Sequence, residues 1–207
     1  GLYQALSAGV PSGNAIEFLA ASSKAAVAGA TDVETAVDGL TTVINAYGMK
    51  ASDVGKVSDA MFQAVKLGKT TFAELSHSIG QVAGIASKTG VGMEDLLGTL
   101  AHVTTQGIDT GTAVMGLRQA IVSVLSPSKD MGKVLGELGT TGEELFAEKG
   151  IVGAFDAIAK TTDGTATGLQ LLIPNIRALP AVLAITGRNA ENASRSVDML
   201  NNAAGAS

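Results

Sequence analysis

The chain has no cysteine and no tryptophan, and only two tyrosines and five phenylalanines among 207 residues. Without cysteine there is no disulfide scaffold, no thiol nucleophile and no thiolate zinc site; the absence says nothing about redox compartment. Aromatics at 3% exclude the stacking platforms that hold single-stranded nucleic acids. Basic residues are also few. Fourteen Lys and Arg stand against nineteen Asp and Glu, for a net charge of −5 and no basic cluster. That balance excludes a specific nucleic-acid partner and fits anionic membranes poorly. No charge-free apolar run approaches the ~18 residues of a membrane-spanning helix. No basic segment leads into an apolar stretch as in a signal peptide. The first residue is Gly1 rather than Met, which we read as a piece of a longer chain, with any targeting signal outside it.

What is present is an apolar, small-residue chain. Apolar residues make up 46% and the mean hydropathy is +0.32, which argues for folding rather than disorder. The length suits one domain or two small lobes. Glycine and alanine, 26 and 33 residues, exceed a quarter of the chain, and glycine lacks the three-residue period of collagen. With so few large anchors and glycines inside helices, we expect modest stability and tolerance of helix rearrangement.

Helical periodicity dominates. Val33, Ala36, Val37, Leu40, Val43, Ile44 and Tyr47 form the i, i+3, i+4, i+7 stripe of a helix that buries one face. Phe72, Leu75, Ile79, Val82, Ala83 and Ala86 form a second, and Met93, Leu96, Leu97, Leu100 and Val103 a third. Val114, Leu117, Ile121 and Val124 form a fourth. Weaker stripes run through Ile16, Leu19, Ser23 and Val27, and through Val54, Val57, Met61 and Val65. No window alternates with period two, so no sheet is predicted. Thr31 with Glu34, Thr71 with Glu74 and Thr141 with Glu144 have the spacing of a capping box. Gly29, Gly48, Gly68, Gly90 and Gly107 stand where helices should stop.

Those glycines recur. Gly9 to Gly48, Gly29 to Gly68 and Gly68 to Gly107 are each 39 residues apart. The spacing predicts an all-α fold. Residues 1–126 form helical hairpin repeats with a period near 39, a length typical of helical repeats. A six-helix bundle of similar helix lengths is the alternative, because only the caps recur. Pro127 ends the pattern. Residues 127–207 are read as a C-terminal helical region packed on the first. Its shorter pieces lie near 128–138, 141–148 and 150–161, followed by a segment over 165–204 that Pro174 and Pro180 kink or divide. The tail from Asn201 to Ser207 reads as a linker.

Tests for chemistry give no catalytic, cofactor-binding or metal-ligating residues. Gly68-Lys69-Thr70 imitates the end of a phosphate-binding loop, but Gln63 stands where that loop needs glycine, and a helix precedes it instead of a strand. Gly90-Val91-Gly92 begins a dinucleotide fingerprint whose third glycine is replaced by Asp95. Glu74 and His77 have the spacing of a carboxylate-bridged metal site, but His102 has Thr99 in place of the second acid. No nucleophile elbow occurs. Glu94-Asp95 and Glu143-Glu144 read as solvated helix starts. Asn192-Ala193-Ser194 is a formal glycosylation sequon, discounted without a secretion signal.

Local strings point further. Ala28-Gly29-Ala30-Thr31-Asp32, the helix end Asn45-Ala46-Tyr47-Gly48, and Val65 to Leu75 with its central Gly-Lys-Thr-Thr-x-x-Glu-Leu pattern resemble the core region of phage tail tape measure proteins. Gly80-Gln81-Val82-Ala83, Gly107-Ile108 and Asn175-Ile176-Arg177-Ala178-Leu179 extend the resemblance over nearly the whole chain, while Ala73 stands where an acidic residue is common. The resemblance implies a non-enzymatic structural protein of a phage or prophage virion, without cofactors, that acts in tail assembly, tail-length determination and genome ejection. It implies the lumen of the tail tube as the location, and the host cytoplasm during assembly. Tail tube, tail tip or chaperone proteins are the implied partners, with self-association and membrane contact only at ejection. Two other classes stay open. A host-encoded helical-repeat binding module would use exposed anchors such as Tyr3, Arg118, Arg177, Arg188 and Arg195. A membrane-active segment would lie near Leu169–Ile185, against the cost of Gln170, Asn175 and Arg177.

Overall fold

A computed structural model describes residues 1–162 and 165–204. It is all-α, and no strand occurs among the described residues. The helices are α1 (Leu2–Ser7), α2 (Ala15–Ala28), α3 (Val33–Ala46), α4 (Val54–Leu67), α5 (Phe72–Ser78), α6 (Gly80–Lys88) and α7 (Met93–Thr105). They continue as α8 (Thr110–Leu125), α9 (Lys129–Glu137), α10 (Gly142–Lys160), α11 (Ala166–Leu172), α12 (Leu179–Ile185) and α13 (Ala190–Ala204). Helices α2, α4 and α7 start at residues 15, 54 and 93, and α3, α5 and α8 at 33, 72 and 110. Each packs on its counterpart one pair later. One row is α2, α4 and α7; the other is α3, α5 with α6, and α8, which α12 extends. Helix α13 lies across α4 and α7, and α10 closes the same end against α7, α12 and α13.

The caps show why these segments start where they do. Thr71 and Thr141 form the expected reciprocal boxes. Each hydroxyl accepts from the amide of Glu74 or Glu144, and each carboxylate accepts the cap amide in return, over 2.9–3.2 Å. At the start of α3 the cap is Asp32 rather than Thr31. Its carboxylate accepts from the Thr35 amide and hydroxyl, both at 2.8 Å. A charged acceptor one residue later outcompetes the hydroxyl. Of the expected helix stops, Gly48, Gly90 and Gly107 take positive φ. Gly29 and Gly68 do not. A Cβ on Gly29 would lie 2.7 Å from Phe72 Cβ, and one on Gly68 2.9 Å from Ala101 Cα, so both serve close packing. The left-handed turn after α2 falls instead on Ala30.

The weak stripe of α2 is corrected. Ile16 and Val27 are 71% and 84% exposed, and the buried face is Ala15, Phe18, Ser22, Ala25 and Ala26. A reading weighted by hydrophobicity favours Ile and Val, whereas the buried face has Phe18 as its one large residue among alanines and Ser22. The Phe72–Ala86 stripe is one buried face carried by two helices, interrupted at Ile79. Helix α10 consists of two helical pieces that meet at Gly150, where φ is +66°, as the expected pieces 141–148 and 150–161 had it. Pro180 opens α12 instead of kinking a longer helix, because its missing N–H is harmless in the first turn. Asn201 to Ala204, expected as linker, ends α13; residues 205–207 lie outside the described ones.

The third stripe understates α7. Ten of its thirteen residues are buried, including Gly98, Thr99, His102 and Thr104 on what the pattern marks as its polar side. The cause is α13. A Cβ on Gly98 would lie 2.7 Å from Val197 Cα and 3.0 Å from the Ser196 carbonyl oxygen, so the two backbones touch there. Gly98→Ala should therefore destabilise the chain by about 1–3 kcal/mol, despite alanine's better helix propensity. Gly132→Ala, in α9 with nothing within 4 Å of the added carbon, should stabilise it by about 0.5–1 kcal/mol. Urea unfolding of the two variants checks both signs.

Candidate functional site

The polar groups of the chain gather at joints between helices. The Gly-Lys-Thr-Thr string forms the first. The Lys69 amide donates to Thr104 Oγ1 at 3.0 Å, and Thr104 donates to the Ala101 carbonyl at 2.7 Å. The Thr70 and Thr110 hydroxyls lie 2.7 Å apart, and each is 3.4 Å from Glu74 Oε2. The carboxylate that boxes α5 therefore also reaches the first residue of α8. This string joins the end of α4 to α5, α7 and α8, and its backbone amide is committed to protein rather than free for a phosphate.

The second joint surrounds Asp95. Its carboxylate accepts the Ile151 amide at 3.2 Å and the Thr99 hydroxyl at 3.2 Å. It thereby caps the second half of α10, 56 residues away. Gly150 turns there with positive φ, and any Cβ at that position would collide with the carboxylate. Glu94 pairs with Lys56 of α4 at 3.3 Å, its side chain only 17% exposed. The pair Glu94-Asp95 is thus not a solvated helix start. Burial holds the Asp95 carboxyl above the ordinary carboxylate range, against the lowering effect of the Ile151 and Thr99 hydrogen bonds. Tyr47, at the end of α3, feels the same region. Burial, then the charges of Asp95 and Glu94, push its phenol upward, and its hydroxyl has no hydrogen-bond partner.

The two histidines do not meet as a ligand pair. His77 is exposed on α5, with Nδ1 2.7 Å from the Ala73 carbonyl. His102 is buried on α7, and its Nε2 has no hydrogen-bond partner. Burial lowers its pKa, opposed by a hydrogen bond with the Ala184 backbone of α12. Among the described residues no three His, Asp or Glu side chains could share a metal ion. Gly90-Val91-Gly92 is a turn whose Val91 is buried, with Gly92 at the start of α7. Asn192 of the formal sequon is exposed on α13. A surface depression between α10 and the start of α13 brings Lys160 and Arg188 beside Asp156 and Glu191, and Lys160 is paired with Asp156 at 2.7 Å. Such a balanced set favours no charged substrate.

Tyr3, Arg118, Arg177, Arg188 and Arg195 are exposed, on five separate stretches of the chain. The Leu169–Ile185 segment is divided into two seven-residue helices, and its Leu169, Ile173, Val182 and Ile185 are core residues. No described helix is long and apolar enough to cross a membrane. The contacts that sequence reasoning misses, Asp95 with Ile151 and Gly98 with Val197, span long separations and leave no local pattern.

Among the described residues, the polar side chains of these joints bind helix ends to one another in an all-α fold. The profile of the family described as phage-related minor tail protein matches residues 1–172. The chain is 30% identical, over 92% of its length, to a probable tape measure protein of Clostridium phage phiCD119. It is 26% identical, over 56% of its length, to the tape measure protein of Pneumococcus phage Dp-1. It spans 21% of the first relative and 10% of the second. No solved structure matches it. The chain belongs to the phage-related minor tail protein family. These relatives support neither the host binding module nor the membrane-active segment.

The buried His102 gives a pH test. Its folded pKa lies below the ordinary 6.5, so the unfolded state binds the proton more readily. Its contribution to stability is intact above pH 6.5 and is lost as pH falls from there through the lowered folded value. His102→Leu, which also removes the unpartnered nitrogen, should narrow the loss of urea midpoint between pH 7.5 and pH 5. An unchanged loss would place the acid sensitivity elsewhere.

Proposed function

We propose that this chain is a non-catalytic segment of a tape measure protein and acts in tail assembly, tail-length determination and genome ejection. The observation that carries this reading is the match to a probable tape measure protein along 92% of the chain. The small-residue core supports it. Helices joined by short caps and alanine contacts, with few large anchors, can be repacked or drawn out at modest cost. This suits a protein loaded into the lumen of a tail tube, assembled with tube, tip or chaperone proteins in the host cytoplasm, and expelled ahead of the genome. We place the segment in the ruler itself, held there as extended helix. A role without cofactors or specific nucleic acid, and with membrane contact only at ejection, completes the proposal.

The test is an in-frame deletion of residues 30–68 from the parent gene, with tail lengths measured by electron microscopy. The deletion joins Gly29 to Lys69, so a helix end again meets the Thr70-Thr71 cap. A ruler segment held as extended helix shortens the tail by about 58 Å, at ~1.5 Å per residue. Tails of normal length that fail to infect would overturn the length-setting role and leave initiation or ejection.

A further inference from the structure

The outward face of α2 carries apolar side chains that the fold does not use. Ile16 and Val27 are eleven residues apart, so they lie about 20° apart on the helix, and exposed Ala20 lies about 20° further round beyond Val27. Beside this ridge runs a cleft between α2 and α4 of about 530 Å³, floored by Ala21, Ala25 and Phe62.

The fold shows what such a cleft holds. Glu17, Ala20, Ala21 and Lys24 line it from α2, and the residues 39 positions later, Lys56, Asp59, Ala60 and Gln63, border Ala203 of α13. From α4 the cleft is lined by Gly55, Ser58 and Asp59, whose counterparts on α7 are Glu94, Leu97 and Gly98. Gly98 is where α13 touches α7. The α2–α4 cleft is thus the preceding copy of the α4–α7 cleft, and the later copy is filled by a helix.

We infer that the α2–α4 cleft is a dimer interface that receives α2 of a second copy of this chain, antiparallel to the first. The charges select the occupant. Glu17 and Lys24 are exposed and one heptad apart, so they flank the Ile16–Ala20–Val27 ridge on the same side. In an antiparallel helix pair, like flanks face each other. A two-fold axis between Ala20 and Ala21 sets Glu17 of each copy opposite Lys24 of the other, and alanines at the crossing allow close approach. A parallel pair would place these flanks apart. The interface is isologous, as closed dimers require, with Ile16 and Val27 as its apolar anchors. It stands independently of the tail-length reading.

The test uses the 207-residue chain in sedimentation velocity across a concentration series. We expect a reversible dimer. Glu17→Lys and Lys24→Glu should each weaken it at least about tenfold, since both symmetric pairs become repulsive. Mixing the two single variants should restore a dimer, as should the double variant Glu17→Lys/Lys24→Glu. Val27→Asp should abolish association. All these positions are exposed, and unchanged circular dichroism confirms that each variant is folded. A monomer at every concentration, a dimer indifferent to the charge changes, or single variants that fail to rescue one another would overturn the inference.

Discussion

The structure depends on how closely backbones can approach one central helix. Helix α7 has neighbours on nearly every side, and it can have them only because it offers little bulk where α13 crosses. At Gly98 the backbones of α7 and α13 meet with no room for a methyl group. Such contact brings dispersion and burial to bear on many atoms at once, which substitutes for the aromatic anchors the chain lacks. The same economy recurs at Gly39 against Ser76, at Gly116 against Ala181, and at Gly29 against Phe72. A core built this way is dense without being rich in large side chains. It depends on backbone register more than on any single residue.

Register is supplied by the polar joints. Glu74 ties the turn before α5 to the start of α8 through Thr70, Thr71 and Thr110, and Asp95 fixes the bend of α10 from a helix 56 residues earlier in sequence. Each joint satisfies helix-terminal amides that the close packing would otherwise leave unpaired. The strings most characteristic of the tail-protein resemblance are therefore architectural. The lysine and threonines that imitate a phosphate-binding loop hold helix ends together. The buried tyrosine hydroxyl and His102 nitrogen without partners are the costs of a core closed on all sides.

How much of this was legible in the sequence follows from the range of each interaction. Caps within four residues were readable, as at Thr71 and Thr141, and the apolar face of α3 was readable because large residues mark it. Helix α2 was misread because its buried face has only Phe18 as a large residue among alanines and Ser22, and is outweighed in the pattern by Ile16 and Val27. Helix α7 looked amphipathic, and the segments that cover its other side, the α4–α5 turn, α12 and α13, lie far from it in sequence. Asp95 looked solvated for the same reason. For function, local strings carried the family, whereas residue chemistry alone excluded classes without selecting one.

Helix α13 is packed against α7 and α4 as part of the core rather than trailing from it. Native-state hydrogen exchange measures this directly. The account predicts that amides of α7 from Leu96 to Val103 exchange only through global unfolding, and that the inner amides of α13 near Ala193 and Val197 are protected to a similar degree. If α13 exchanged orders of magnitude faster while α7 kept its protection, the helix would be an appendage and the account would be contradicted.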